Sequence, residues 1–199
     1  MTGEDIMIRG LALAVLSLPL AIGASSLLAQ ETYTVDPVHS QPSYEIKHLA
    51  GLSTQRGSFL KSTGKITIDR SARKGTVDVT IDTTSLRTHS AALDEIVRGE
   101  QYFNVAKYPT MTFKSSDLIF DGDRVVGAEG ELTMLGVTKP VRLKVDNFSC
   151  AENPFNKKAM CGAEISASIK RSEWGMTAGI PKSSGDEVKI IIPVEAYKD

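Results

Sequence analysis

Aromatic side chains make up only 6% of this 199-residue sequence, and it holds just two cysteines, one tryptophan and three histidines. So thin a set of rings offers no stacking platform for single-stranded nucleic acid. Neither charge sign is in excess: the formal net charge is −1. That balance excludes a nucleic-acid binder, which needs clustered Lys and Arg to neutralise phosphates, and also a polybasic membrane patch. The 16 glycines, 8 prolines and 41% hydrophobic residues are ordinary, which excludes collagen-like, low-complexity and disordered chains. A folded soluble domain remains, and the length suits one.

The usual marks of catalysis are missing as well. No G-x-S-x-G turn presents a nucleophile, and no glycine-rich loop is built to cradle phosphate. His39, His48 and His89 are scattered, without the close spacing of zinc ligands on one element. His48 falls on the apolar face of a strand, where a hydrogen-bonded core histidine is the plain alternative to a functional one. Adjacent carboxylates at Asp94 and Glu95 suit the start of a helix better than acid–base chemistry. The residues therefore read as a binding or carrier module, not an enzyme, with no cofactor and no metal expected.

One long hydrophobic run is present, at residues 11–22. Arg9 precedes it, and Gly23-Ala24-Ser25-Ser26 and Leu27-Leu28-Ala29 follow. A basic flank, a short apolar stretch and small residues describe a secretory signal peptide. The run is short for a membrane span, which takes about 20 apolar residues. Cleavage is expected after Ala29, leaving residues 30–199 as an exported, periplasmic domain; an uncleaved anchor is the alternative. Glu4 and Asp5 are unusual in such a leader, and Met7 makes a cleaner start.

In an exported chain the even pair Cys150 and Cys161 reads as a disulfide. The intervening AENPFNKKAM has the turn residues of a loop joining two strands, so the bridge would staple a hairpin. A free thiol pair or a metal site are the other readings of the same residues.

Period-two alternation dominates residues 30–199. Tyr44, Ile46 and His48 share one face, as do Ile66 and Ile68; Val77, Val79 and Ile81; Met111 and Phe113; and Val141, Leu143 and Val145. Ala163, Ile165, Ala167 and Ile169 alternate with polar residues, and so do Val188, Ile190, Ile192 and Val194. Turn signals at Asp69-Arg70-Ser71, Asp121-Gly122-Asp123, Leu135-Gly136-Val137 and Ser183-Ser184-Gly185-Asp186 separate the runs. Residues 90–99 break the pattern: Ser90 is an N-cap candidate, Leu93, Ile96 and Val97 form one face, and Gly99 is a stop. About eight strands and one helix predict an all-β fold. An antiparallel barrel is preferred to a two-sheet sandwich because closure removes sheet edges. A barrel of eight strands is either filled by its own side chains or holds one small ligand.

Seven short patterns, in order, resemble the YceI-like family of lipocalin-like, polyisoprenoid-binding proteins. They are Tyr33-Thr34-Val35-Asp36-Pro37-Val38-His39-Ser40; Tyr44-Glu45-Ile46-Lys47-His48-Leu49; Gly57-Ser58-Phe59; the stretch 93–109 with Tyr102-Phe103-Asn104 and Tyr108-Pro109; Phe113-Lys114-Ser115; the G-x-L-T-x-x-G-x-T-x-P segment from Gly130 to Pro140; and Lys170-Arg171-Ser172-Glu173-Trp174-Gly175-Met176. The chain departs from the family at Tyr102 and Asn104, where Phe and Asp are usual, at Trp174, where Phe is commoner, and in its cysteine pair.

The resemblance implies an eight-stranded antiparallel barrel with a helix between strands and an apolar lumen. That lumen would hold an isoprenoid, a quinone or another fatty amphiphile without covalent chemistry, with no nucleic acid, no stable membrane insertion, and a homodimer left open. On the matching positions it assigns the lining to Tyr44, Ile46, His48 and Phe59, then Phe103, Met111 and Phe113. Ile165, Ile169, Trp174, Met176, Ile190 and Ile192 complete the set. Tyr44, His48 and Trp174 carry polar atoms suited to a head group, and residues 171–176 would shape one mouth. A filled barrel with a structural or stress-response role is the alternative.

Overall fold

The computed structural model describes residues 30–199; the leader expected at residues 1–29 lies outside the described residues. The chain runs through β1 (Glu31–Val35), β2 (Ser43–His48), β3 (Ser53–Phe59), β4 (Ser62–Asp69), β5 (Lys74–Asp82) and β6 (Leu86–Thr88). Helix α1 (Ala91–Arg98) follows, then β7 (Thr110–Asp121), β8 (Arg124–Met134), β9 (Val137–Glu152), β10 (Ala159–Lys170) and β11 (Ser184–Lys198). Every strand pairs antiparallel with its neighbours, and β1 on β11 closes the ring. The expected alternation is therefore wrapped into a closed barrel of eight staves.

Three staves are each broken in two. β1 and β2 succeed one another along one edge of β11, at Val35↔Ala196 and Ser43↔Ile191. β4 and β3 line up on them in turn, and β5 and β6 on those. Between β1 and β2 the chain leaves the ladder, and Ser40 replaces it. Its hydroxyl accepts from the Glu195 N–H at 2.9 Å and donates to the Glu195 carbonyl at 3.0 Å. The Asp36 N–H donates to that same carbonyl at 2.9 Å. Both backbone groups of Glu195 are thus satisfied where a strand partner is lost, as buried backbone requires.

The third break leaves the outer edge of β6 without a strand, and α1 packs there. Ser90 is the N-cap by position, yet its side chain makes no cap bond. The buried Asp94 carboxylate ties the helix instead, accepting the Thr88 N–H at 2.5 Å and the Thr88 hydroxyl at 2.8 Å. Arg98 Nε donates to the Leu86 carbonyl at 3.1 Å.

Two turns match their sequences closely. Leu135 and Gly136 take φ of 52° and 74° to join β8 and β9, and Asp121↔Arg124 closes the β7–β8 hairpin. One turn differs from expectation. Ser184, Gly185 and Asp186 lie inside β11, because Ser184 pairs with His48, and Asp186 accepts the Ser172 N–H and hydroxyl at 2.9 and 2.8 Å. The turn itself precedes them. Gly57 is required in β3, where a Cβ would lie 2.6 Å from the ring of the cross-strand Tyr44.

At the barrel end formed by the β4–β5, β7–β8 and β9–β10 turns, Arg70 acts as a tie. Its Nη1 donates to the Asp123 carbonyl at 2.9 Å, its Nη2 lies 3.3 Å from Cys150 Sγ, and its guanidinium sits 5.4 Å over the Phe148 ring. Cys150 and Cys161 face each other across β9 and β10 and form the expected disulfide, with S–S 2.02 Å.

Candidate functional site

Inward side chains of the staves surround a cavity of about 500 Å³. Many of those positions carry residues too small to meet in the centre, among them Val77, Val79, Ala128, Gly162 and Ala163. The lumen is consequently not filled by its own side chains, and its size falls within the ordinary range of ligand sites.

Twelve of the thirteen residues expected at the lining are there. Tyr44, Ile46 and His48 enter from β2, Phe59 from β3, Met111 and Phe113 from β7, and Ile165 and Ile169 from β10. Ile190 and Ile192 enter from β11, while Phe103 and Met176 come from the segments after α1 and β10. Tyr44, Phe59 and Phe103 form an aromatic cluster, with the latter two rings edge to face at 5.3 Å. Their arrangement is the favourable one for aromatic quadrupoles.

Trp174 is the correction. It is not part of the lining; it is 2% exposed and its indole N–H donates to the Leu132 carbonyl at 3.1 Å. The buried indole spends its N–H on β8, so it has no free polar atom to offer a head group. Residues 171–176 nevertheless shape that end, through Arg171 and Met176, which both line the cavity.

Arg171 is the functional-site residue that periodicity missed. Only 2% exposed, it has no carboxylate within ion-pair distance among the described residues. Instead Nε donates to the Gly185 carbonyl at 2.9 Å, Nη1 to the Met176 carbonyl at 3.0 Å, and Nη2 to the Ala178 carbonyl and Ser184 hydroxyl, each at 2.7 Å. The guanidinium also lies 5.9 Å from the Tyr102 ring. Burial pulls its pKa below the ordinary value, while the nearby Asp186 carboxylate acts the other way. Its job is to organise the loop between β10 and β11.

His48, Gln55 and Ser183, brought together by the registers of β2 with β3 and β11, line the cavity towards the same end, and His89, Ser40, Ser43 and Ser62 line it too. Burial pushes the Tyr44 phenol up to about 12, helped by the Asp94 charge, so it stays a neutral hydroxyl. Among the described residues no side chain engages that hydroxyl. It can donate to a carbonyl or accept from an alcohol. Ile96 of α1 lines the cavity while 56% exposed, so the apolar lumen reaches solvent beside the helix. Asp94, which holds α1 to β6, has its carboxyl kept below the usual range chiefly by the Thr88 hydroxyl.

Comparison with known proteins agrees with this architecture. The sequence pattern of the YceI-like domain matches residues 33–196. Protein YceI of Escherichia coli O157:H7 is 34% identical over 182 residues, covering 90% of this chain and 93% of that protein. A UPF0312 protein of Enterobacter sp. strain 638 is 34% identical over 191 residues, 96% of this chain and 97% of its own. Among solved structures, Burkholderia cenocepacia BcnA superposes with a TM-score of 0.69 at 25% identity, covering 81% of this chain and 98% of BcnA. A polyisoprenoid binding domain from Saccharophagus degradans, implicated in plant cell wall breakdown, has a TM-score of 0.63 at 17% identity, over 84% and 98% of the two chains.

Proposed function

This chain belongs to the YceI-like family, and from that premise we propose that it is an exported, periplasmic, non-catalytic carrier for an amphiphile with a long apolar tail. An isoprenoid, a quinone or a related fatty lipid fits the class. The observation that carries this reading is the unfilled apolar lumen of about 500 Å³ within a closed barrel. Each methylene moved from water into such a lumen gains about 0.8 kcal/mol, which favours a long tail over a compact polar solute. The polar atoms at one end, Tyr44 Oη, His48 and Gln55, suit an uncharged head bearing a carbonyl or hydroxyl. The tail then lies among Phe113, Ile165, Ile190 and Ile192. The polyisoprenoid binding named for the Saccharophagus degradans domain supports the same ligand class for this chain.

Native mass spectrometry of protein purified from its own host tests the reading. A lipid-sized adduct that organic extraction removes is expected. Ala163→Phe, which pushes a ring into the lumen, should fold by circular dichroism and lose most of that adduct. Lys144→Ala, on the outer face, should keep it. Full occupancy in the folded Ala163→Phe variant, or wild-type protein that takes up no isoprenoid, quinone or fatty amphiphile, returns the barrel to a structural role.

A further inference from the structure

The Asp36–Ser40 turn contributes nothing to the lumen except Ser40, yet it brings an imidazole and two carboxylates together on the outer wall. His39 Nδ1 lies 2.7 Å from Asp36 Oδ2 and 3.6 Å from Glu195 Oε2, and the three ligand atoms all fall within 4.8 Å of one another. We propose that Asp36, His39 and Glu195 form a binding site for a divalent transition-metal ion of the zinc type, placed where the first stave breaks against β11.

Three observations carry the assignment. The first is spacing. Ligand atoms about 2.0–2.2 Å from a tetrahedral metal lie roughly 3.3–3.5 Å from each other. The 2.7 and 3.6 Å separations of the imidazole from the two carboxylates bracket that range, and no two ligand atoms of the three residues need be more than 4.8 Å apart. The second is charge. Among the described residues, neither Asp36 nor Glu195 pairs with a lysine or arginine, and one histidine is shared between two carboxylates. A dication supplies the balancing charge that a single imidazolium cannot. The third is support. Asp36 Oδ1 accepts the Val38 N–H at 2.9 Å, leaving Oδ2 turned towards the imidazole. The backbone of Glu195 is held by Ser40 and by the Asp36 N–H. Outer bonds of this kind orient metal ligands.

Imidazole nitrogen with carboxylate oxygen suits Zn²⁺ and its borderline neighbours; three protein ligands leave a fourth position for water. The Asp36 side chain is 11% exposed and His39 58%, so one ligand is anchored and another lies open to entry. Bound there, the ion would stitch the β1–β2 connection to β11. This inference does not depend on the cargo in the lumen.

The test uses the mature protein with its disulfide intact, stripped with a chelator and dialysed. Titration with Zn²⁺ by calorimetry should give one equivalent bound, and Co²⁺ should develop visible d–d bands that Zn²⁺ abolishes. At a hundredfold excess over Kd, Tm should rise by roughly 5–10 °C. His39→Ala and Glu195→Gln, both confirmed folded by circular dichroism, should each weaken binding at least tenfold; Asp78→Asn, an exposed carboxylate on β5, should not. Absence of saturable Zn²⁺ binding below millimolar concentration overturns the site. So does binding that survives in both cluster variants, which would leave an ordinary His39–Asp36 ion pair.

Discussion

Replacing Arg171 by methionine keeps most of the side-chain volume and removes every hydrogen bond it makes. Two effects then oppose each other. Removing a buried cation relieves its desolvation cost, and buried ions exchanged for hydrophobes are sometimes neutral or stabilising. Against that, the three carbonyls and one hydroxyl that Arg171 serves lose its donors, and only the Ala178 carbonyl keeps another, the Ser184 hydroxyl at 3.4 Å. The bond to the Met176 carbonyl is fully buried, so its loss costs about 1–3 kcal/mol. The other three acceptors are part-buried and can recruit water, at about 0.5–1 kcal/mol each. Less the desolvation relief, we expect Arg171→Met to lose about 2–4 kcal/mol, a drop in Tm of roughly 5–15 °C for a domain of this size. Arg171→Lys, a point charge without the planar fork, should fall between the two. Urea and thermal melts followed by circular dichroism measure the order. A methionine variant as stable as the parent would refute the reasoning, because desolvation would then outweigh all four bonds.

The Cys150–Cys161 disulfide closes a short loop, so thiol labelling of unfolded, unreduced protein should find no free cysteine, and the double Cys→Ser variant should lose about 2–3 kcal/mol while still folding. The Glu31 carboxyl is held below its ordinary value of 4.5, chiefly by the hydrogen bond from Lys198, while burial opposes the shift and Tyr33 and Arg70 add to it. A depressed native pKa means that stability is fully present above the ordinary carboxylate value and is lost as pH falls through the native one. The gap between wild type and Glu31→Gln should therefore be wide at pH 7 and close towards pH 3; a gap independent of pH in urea midpoints would exclude this role for Glu31.

Most of the barrel was legible because an inward and an outward face alternate residue by residue. Runs such as Ile165–Ile169 and Val188–Val194 identify both the strand and the side that meets the lumen. The breaks were not legible. Nothing in the local pattern of Ser40 says that its hydroxyl will replace a ladder rung on a residue 155 positions away. Arg171 stands in a family-like pattern, but its role was not legible for the same reason: its acceptors are mostly backbone carbonyls, which carry no sequence identity. Trp174 misled in the opposite direction. A large ring with a polar atom suits a lumen equally well on paper, and only the reach of its N–H to Leu132 assigns it to the wall. Spacing along the chain puts only Asp36 near His39; the second carboxylate beside it, Glu195, arrives from β11.

The bare outer edge of β6 has a kinetic meaning. Around the rest of the ring, parting two staves means rupturing a run of backbone hydrogen bonds, as along the eleven-residue register of β10 with β11. Between β6 and β7 no such run exists, and the wall there is α1 together with the Gly99–Pro109 segment. Side chains such as Ile96 and Phe103 can move there while every strand ladder stays intact. Local openings of this kind cost far less than unfolding. The ring thus has one seam that can part without breaking a strand ladder, set in a wall that is otherwise among the most durable a protein can make.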